Sequence, residues 1–525
     1  MRFALLFTLS LCGGLLPGLA QGATPERGLA VTDPLALREL DLHARGLNRM
    51  LAPAVADNVP LANDRLFALP SMAPVHKALD DEFARYVARH RADSPRESIG
   101  VGPSFDSQLF DRAVLDSAQT RFVLAGIVSR LDRAYVAPQN CGEIRLIYRL
   151  TRISDAASPS PVAAEDRGKE PVASPRLPMT LNIVLKARGD AQAISCAEIA
   201  SRWLKTMDLP LAGADLATTL MAAGGPLELI TPGNIDRIET NLQIAHAPKS
   251  ELRDFRTDYL LKVFHYNPQT RLYEEAPLEN QIDRDRLLSD PALGREFTAW
   301  LLDPKHLREL DRGTVVIPDR FLQTGAVAPT PVGFGRSGLQ PAFGLAGGDG
   351  ARQPLFRQDD IVSALKRASD REGAFENIRS PAGFERRLND VTCAGCHQTR
   401  GIGGFHFPGV DWMAANPSNS TVVPASPHFF GDQVRRRDIA NAIREGRPVD
   451  YSRGFADRPQ RRGSTELAGT EYDDGWGAHC YQQRPRAADN DKSFRGWNCA
   501  AGLACEAIGD AGKSSRMGMC FVKSR

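Results

Sequence analysis

The sequence predicts an α+β protein: an N-terminal helical and antiparallel β-rich region, a mainly α-helical segment after it, and a small disulfide-rich C-terminal unit. Three observations lead there. Apolar residues recur every fourth position near the start, every second position through the middle, and four of nine cysteines fall in the last fifty residues. A chain of 525 residues is too long for one hydrophobic core, so several domains are expected. The divisions read as 1–23, a secretory leader; 24–332, mixed α and β; 333–355, a Gly-rich linker; 356–470, mainly helical; and 471–525, held by disulfides.

The first residues give Arg2, an apolar stretch from Phe3 to Ala20 broken by Gly13, Gly14 and Pro17, and small residues at Gly18, Ala20, Gly22 and Ala23. That order describes a signal peptide and implies export to the periplasm or beyond. A lipid anchor at Cys12 is the alternative, disfavoured by bulky Leu11 beside it. Val75, Leu79, Phe83 and Val87 then mark helix, and the helical reading runs to about residue 116.

From Arg121 the period changes to two. Ile144, Leu146, Tyr148 and Leu150 alternate with Arg145, Ile147 and Arg149; Leu181, Ile183 and Leu185, and then Ile238, Thr240, Leu242 and Ile244, repeat the pattern. These predict strands with one buried face. Asn267-Pro268-Gln269-Thr270 joins two further strands as a hairpin, and residues 196–207 read as a helix. Residues 156–175, rich in Ala, Ser and Pro, read as a surface insertion. Helices are expected at 361–368 and 435–445.

Net charge is +2, from 65 basic and 63 acidic residues, which offers no electrostatic basis for nucleic-acid or anionic-membrane binding. No internal run reaches the apolar length of a membrane span. With Cys12 removed with the leader and Cys393 and Cys396 set aside as a close pair, six cysteines remain, an even number for an oxidising compartment. Cys141–Cys196 and two bridges among Cys480, Cys499, Cys505 and Cys520 are expected, with three tail connectivities open.

The chemistry-bearing string is Thr392-Cys393-Ala394-Gly395-Cys396-His397. Two cysteines three apart share a helical face and reach the two vinyl groups of one porphyrin; the histidine that follows supplies an axial imidazole. This predicts one covalent haem c, held by Cys393 and Cys396 with His397 as proximal iron ligand. Half a zinc site, a redox dithiol and a structural disulfide are the other readings of the pair. For the distal ligand the candidates are His406, Met413, His428, His479, Met517 and Met519. His428 is the tentative choice, and a vacant site is the alternative. Arg435, Arg436 and Arg437 read first as a solvated helix start and second as partners of haem propionates, and Phe405, Phe407 and Trp412 as an apolar haem wall or as ordinary core packing.

The string from Cys393 to His397 resembles the signature of c-type cytochromes, over residues 380–446. The middle region, with Arg121 to Asp132 and Cys141 to Arg145, loosely resembles large secreted bacterial proteins of unknown role that carry one such motif. The first resemblance implies electron transfer with a redox partner protein or a small-molecule donor or acceptor. The chain departs from small cytochromes in its large additional region and in lacking an obvious distal Met. Di-haem peroxidases carry two motifs, so the single motif does not imply their activity. A haem enzyme of peroxidase or oxygenase type with an open distal site, and a non-haem secreted binding protein, stand as alternatives. No P-loop, dinucleotide fingerprint, nucleophile elbow or H-E-x-x-H motif is present.

Overall fold

The computed structural model describes residues 29–53, 60–153, 176–190, 192–247, 256–329, 353–399, 410, 412–413, 427–453, 479–499, 502–507 and 516–522. The expected leader, the insertion at 156–175 and residues 333–352 of the Gly-rich segment lie outside them.

The chain opens with β1 (Ala30–Val31), α1 (Pro34–Leu40), α2 (Leu47–Leu51), α3 (Asn63–Phe67) and α4 (Ala73–Asp93). Then come β2 (Ile99–Gly100), β3 (Ser107–Leu109), β4 (Thr120–Arg130), β5 (Glu143–Arg152) and β6 (Arg176–Lys186). Helices α5 (Cys196–Met207) and α6 (Gly213–Met221) precede β7 (Ile235–Ala247), β8 (Arg256–Asn267) and β9 (Leu272–Ala276). Next are α7 (Arg284–Ser289), α8 (Pro291–Leu301), α9 (Pro304–Arg312), β10 (Gly325–Pro329), α10 (Gln358–Glu372), α11 (Pro381–Asp390), α12 (Cys393–Thr399) and α13 (Pro427–Glu445). The tail carries β11 (His479–Tyr481), β12 (Leu503–Ala507) and β13 (Met517–Val522).

The α+β class is as expected. Strands β1 to β10 form one sheet in the order β1-β4-β5-β6-β7-β3-β2, with β8 paired to β7, β9 and β10. The pairings are antiparallel except β2 with β3. The period of two does what it predicted on one face. Tyr148 opposes Leu181, Leu146 opposes Ile183, and Ile183 opposes Ile238, so large apolar side chains meet across three strands. They join residues of α1 to α6 in the first core. Each such side chain, fully buried, contributes about 1.5–3 kcal/mol over leaving it exposed. In α4 the buried stripe is Val75, Leu79, Phe83 and Tyr86, and the Tyr86 hydroxyl donates to Asp258 Oδ2 at 2.6 Å.

A second core lies on the other side of the sheet. It combines Phe297, Leu301, Leu307 and Leu310 of α8 and α9 with Ile361 and Leu365 of α10 and Phe384 and Leu388 of α11. It therefore draws on chain from both sides of residues 333–355. Three of these helices start on a capped proline: Asp290-Pro291, Asp303-Pro304 and Ser380-Pro381 open α8, α9 and α11, as Asp33-Pro34 opens α1 in the first core, while Asp283 caps α7 without one. In each pair the side-chain oxygen takes an orphan backbone N–H while proline occupies a position whose N–H needs no partner.

The helix expected from Arg435 begins earlier, at Pro427, and packs on α5, with Ala440 in the first core. Residues 410–413 also return to the sheet. β4 carries a bulge between Leu124 and Gly126; the Ala125 carbonyl accepts from Val410 N at 2.9 Å and the Leu124 carbonyl from Trp412 Nε1 at 2.8 Å.

The tail folds as β11-β13-β12 around a small cluster of Tyr481, Phe494, Trp497 and Met517. Cys141–Cys196 forms as expected, and the tail bridges are Cys480–Cys505 and Cys499–Cys520. So few apolar side chains cannot hold the tail alone, and it relies on these bridges. Ser493 Oγ accepts from Arg379 N at 2.9 Å, which fastens the tail to the start of α11. No helix among the described residues is long and apolar enough to cross a membrane.

Candidate functional site

The cysteine pair occupies the first turn of α12. Thr392 sets that turn: its hydroxyl accepts from Gly395 N at 2.9 Å and donates to the Asn389 carbonyl at 2.7 Å. The Ala394 N–H donates to Gln281 Oε1 at 2.8 Å, and the Cys393 thiol to the Glu279 carbonyl at 3.4 Å. Both acceptors sit in the loop after β9, which Asn280 shapes. Asn280 has φ of 57°, and its side chain donates to Val315 O and accepts from Ile317 N. An amide side chain tolerates this left-handed geometry while fixing the loop at both ends.

Gly395 is required by contact. A Cβ there would lie 1.8 Å from the Asn389 carbonyl oxygen and 2.8 Å from Thr392 Oγ1, both part of the cap. Gly395→Ala is therefore expected to displace the start of α12 and cost about 1–3 kcal/mol, the range for overpacking. Thermal unfolding measures it; an unchanged midpoint contradicts the packing described.

Cys393 and Cys396 are both buried and belong to no disulfide. Cys393 packs on Leu261, Val263, Leu278, Ala326 and Ala328. Burial, and then the nearby carboxylates Glu279 and Glu239, hold its thiol well above the usual range, so it is protonated at neutral pH. His397 lies in α12 and His428 in the first turn of α13, and the side chains of both are outside the described residues. The structure thus brings the two thiols onto one helical turn. Candidate His406 falls outside the description, as do Phe405 and Phe407.

Trp412 lies in the first core with Met413 packed against it, and the Trp412 indole serves the β4 bulge. One expectation is corrected. Arg435 and Arg436 do not open a helix; they lie within α13 and are paired. Arg435 donates to Asp432 and, at 2.7 Å, to Asp132; Arg436 donates to Asp432 at 2.7 Å. Asp132 also receives Arg130 at 2.8 Å and Arg453 at 3.4 Å. Burial pushes Arg436 down to about 10, helped by repulsion from Arg130.

Behind Cys393 the polar face of the sheet is covered too, contrary to the one-buried-face expectation. Glu143 holds Arg237 at 2.9 Å and Arg145 at 3.0 Å, Glu239 holds the same two arginines at 2.9 and 3.0 Å, and Arg133 forks onto Glu279. Burial alone would raise the Glu143 carboxyl, but Arg237, Arg145 and Arg133 bring it well below the usual range. This lattice borders a cavity of about 330 Å³ that reaches Cys393 but not Cys396. Sequence reading missed Glu143, Asn182, Glu239 and Glu279. One signal was present: Glu143 with Arg145, and Arg237 with Glu239, are opposite charges two apart, hence on one strand face.

Cys480, Cys499 and Cys520 are the one group among the described residues close enough to share a metal, and all three are in disulfides. No family model, curated protein or solved structure matches this chain.

Proposed function

We propose that this chain is an exported mono-haem protein of c-type cytochrome character, which binds haem c covalently and passes electrons to a redox partner protein or small molecule. The observation that carries the reading is the partition of the cysteines. Six form three disulfides, while the two that precede a histidine, one helical turn apart, form none. In a compartment that oxidises six thiols, a proximal pair left as thiols is reserved for other chemistry.

The donor set suits the group. Cys393 and Cys396 would carry the two thioether bonds and His397 the proximal iron bond, with His428 the tentative distal ligand. Bound haem supplies one-electron redox chemistry. The chain's own residues set the attachment turn: Thr392 and Gln281 fix its backbone, Gly395 lets it approach α11, and burial keeps Cys393 in the thiol form. Three disulfides accord with a periplasmic or secreted location.

The test is maturation in a host with cytochrome c assembly machinery. A haem band should persist on a denaturing gel with a c-type haemochrome spectrum, and Cys393→Ser together with Cys396→Ser should remove it. Absence of covalent haem from the unaltered chain overturns the reading and leaves a secreted binding protein. Ready cyanide binding would instead favour a haem enzyme with an open distal site. An unchanged spectrum in His428→Ala would remove His428 as ligand.

A further inference from the structure

The cavity between the polar sheet face and the second core reaches Cys393 but no other residue of the motif. Its volume of about 330 Å³ is at the lower end for small-molecule sites, which span roughly 300–1,000 Å³. Its wall is charged, yet the charges buried in it are ion-paired. Arg145 and Arg237 are each shared between Glu143 and Glu239, and Arg133 is forked onto Glu279.

Several buried polar atoms of this wall lack a hydrogen bond among the described residues, Thr240 Oγ1 and Arg133 Nε among them, and Asn182 offers the only such amide with no other interaction among the described residues. Asn182 on β6 is 2% exposed, lines the cavity, and its side-chain oxygen has no hydrogen-bond partner among the described residues. Its strand neighbours in register are Ile147 and Glu239, which places it on the lattice side of the sheet. A buried amide left unbonded costs about 1–3 kcal/mol, so it marks a place where something else bonds. Tyr135 adds a half-buried aromatic wall, its ring beside Arg133 and Tyr451.

We propose that this cavity binds a small neutral polyhydroxylated molecule, a sugar or polyol. A charged ligand would have to break an ion pair and leave a buried partner uncompensated, a heavy loss in a desolvated wall. A hydroxyl does not. It donates to the carboxylate lone pairs and accepts from guanidinium N–H groups that the ion pairs leave over, and from Asn182 in either sense. The tyrosine wall suits the C–H face of a sugar ring. Titration of the chain without attached haem tests this site, and the haem band tests the other reading, so the two failures are separable.

Isothermal titration of the full exported chain decides it, with glucose, maltose and myo-inositol as neutral probes and glucuronate and inorganic phosphate as anions. At least one neutral probe should bind saturably, and more tightly than either anion. Asn182→Ala should weaken it roughly tenfold, the loss of one buried hydrogen bond, without lowering the melting temperature of the free chain. Tyr135→Leu, which alters the wall from another element, should weaken it as well. Absence of saturable binding by all three neutral probes overturns the proposal. So does tighter anion binding, or neutral binding that survives both substitutions.

Discussion

Asp132→Ala is expected to destabilise the folded chain by about 3–5 kcal/mol, the cost of removing one partner from a buried ion pair. Asp132 is fully buried and accepts from Arg130, Arg435 and Arg453, which come from the end of β4, from α13 and from the segment after it. Without the carboxylate those guanidinium groups keep their charge in a low-dielectric setting. The attraction lost is smaller than the desolvation left uncompensated. Thermal unfolding should show a midpoint lower by about 3–5 °C, and a loss below about 1 kcal/mol would refute the assignment. The pH dependence follows from the same contacts. Burial raises the Asp132 carboxyl, but Arg130, Arg436 and Arg435 outweigh it and hold it well below the usual range. Folded-state values below unfolded ones mean that the unfolded chain takes up protons first on acidification. The stabilisation is complete above the unfolded value near pH 4 and is lost as pH falls through the folded one. Glu143 shifts in the same sense. Asp132→Asn should therefore show a shallower loss of stability between about pH 5 and 2 than the unaltered chain.

The second large effect belongs to Cys141–Cys196. The bridge closes 55 residues, a loop that contains the β5–β6 pair, and the chain-entropy relation gives about 4 kcal/mol for that length. Cys141 lies in a left-handed turn at φ 58°, and Gly142 follows at φ 95° where a Cβ would meet the Arg130 carbonyl at 2.6 Å. The bridge thus holds a turn beside the cavity to the first residue of α5. The double variant Cys141→Ser with Cys196→Ser leaves no loose thiol, and urea unfolding should report the loss. A shift under about 1 kcal/mol would show that the loop is constrained without the bridge.

Much of the fold was legible in the sequence because its signals are local. Alternation marked β5, β6 and β7 since each has one face against an apolar core, and the even cysteine count gave Cys141–Cys196 and a tail bridged within itself, but not which tail cysteines pair. Capped prolines such as Asp290-Pro291 and Asp303-Pro304 were available as helix starts and went unread. The covering of the polar sheet face was not legible. Arg145 and Glu239 have the look of a solvated face, and only cross-strand register brings them together across 94 positions of chain. Asn182 carries no local signal at all: its interest comes from what lacks contact with it. Of the candidate site, Cys393 and Cys396 were readable because their spacing alone puts them on one turn.

The return of Val410, Trp412 and α13 to the first core governs how this protein must assemble. Leu29 N donates to Gln433 Oε1, a contact spanning 404 positions, and Val410 completes the β4 bulge. A chain synthesised from its N-terminus has most of its sheet made long before α13 arrives to close it. Ribosomal order therefore leaves an apolar flank waiting, until the segment bearing the cysteine pair has itself been made. Severing the chain at the Gly-rich segment would strand both halves, each holding part of a core that only the other can finish.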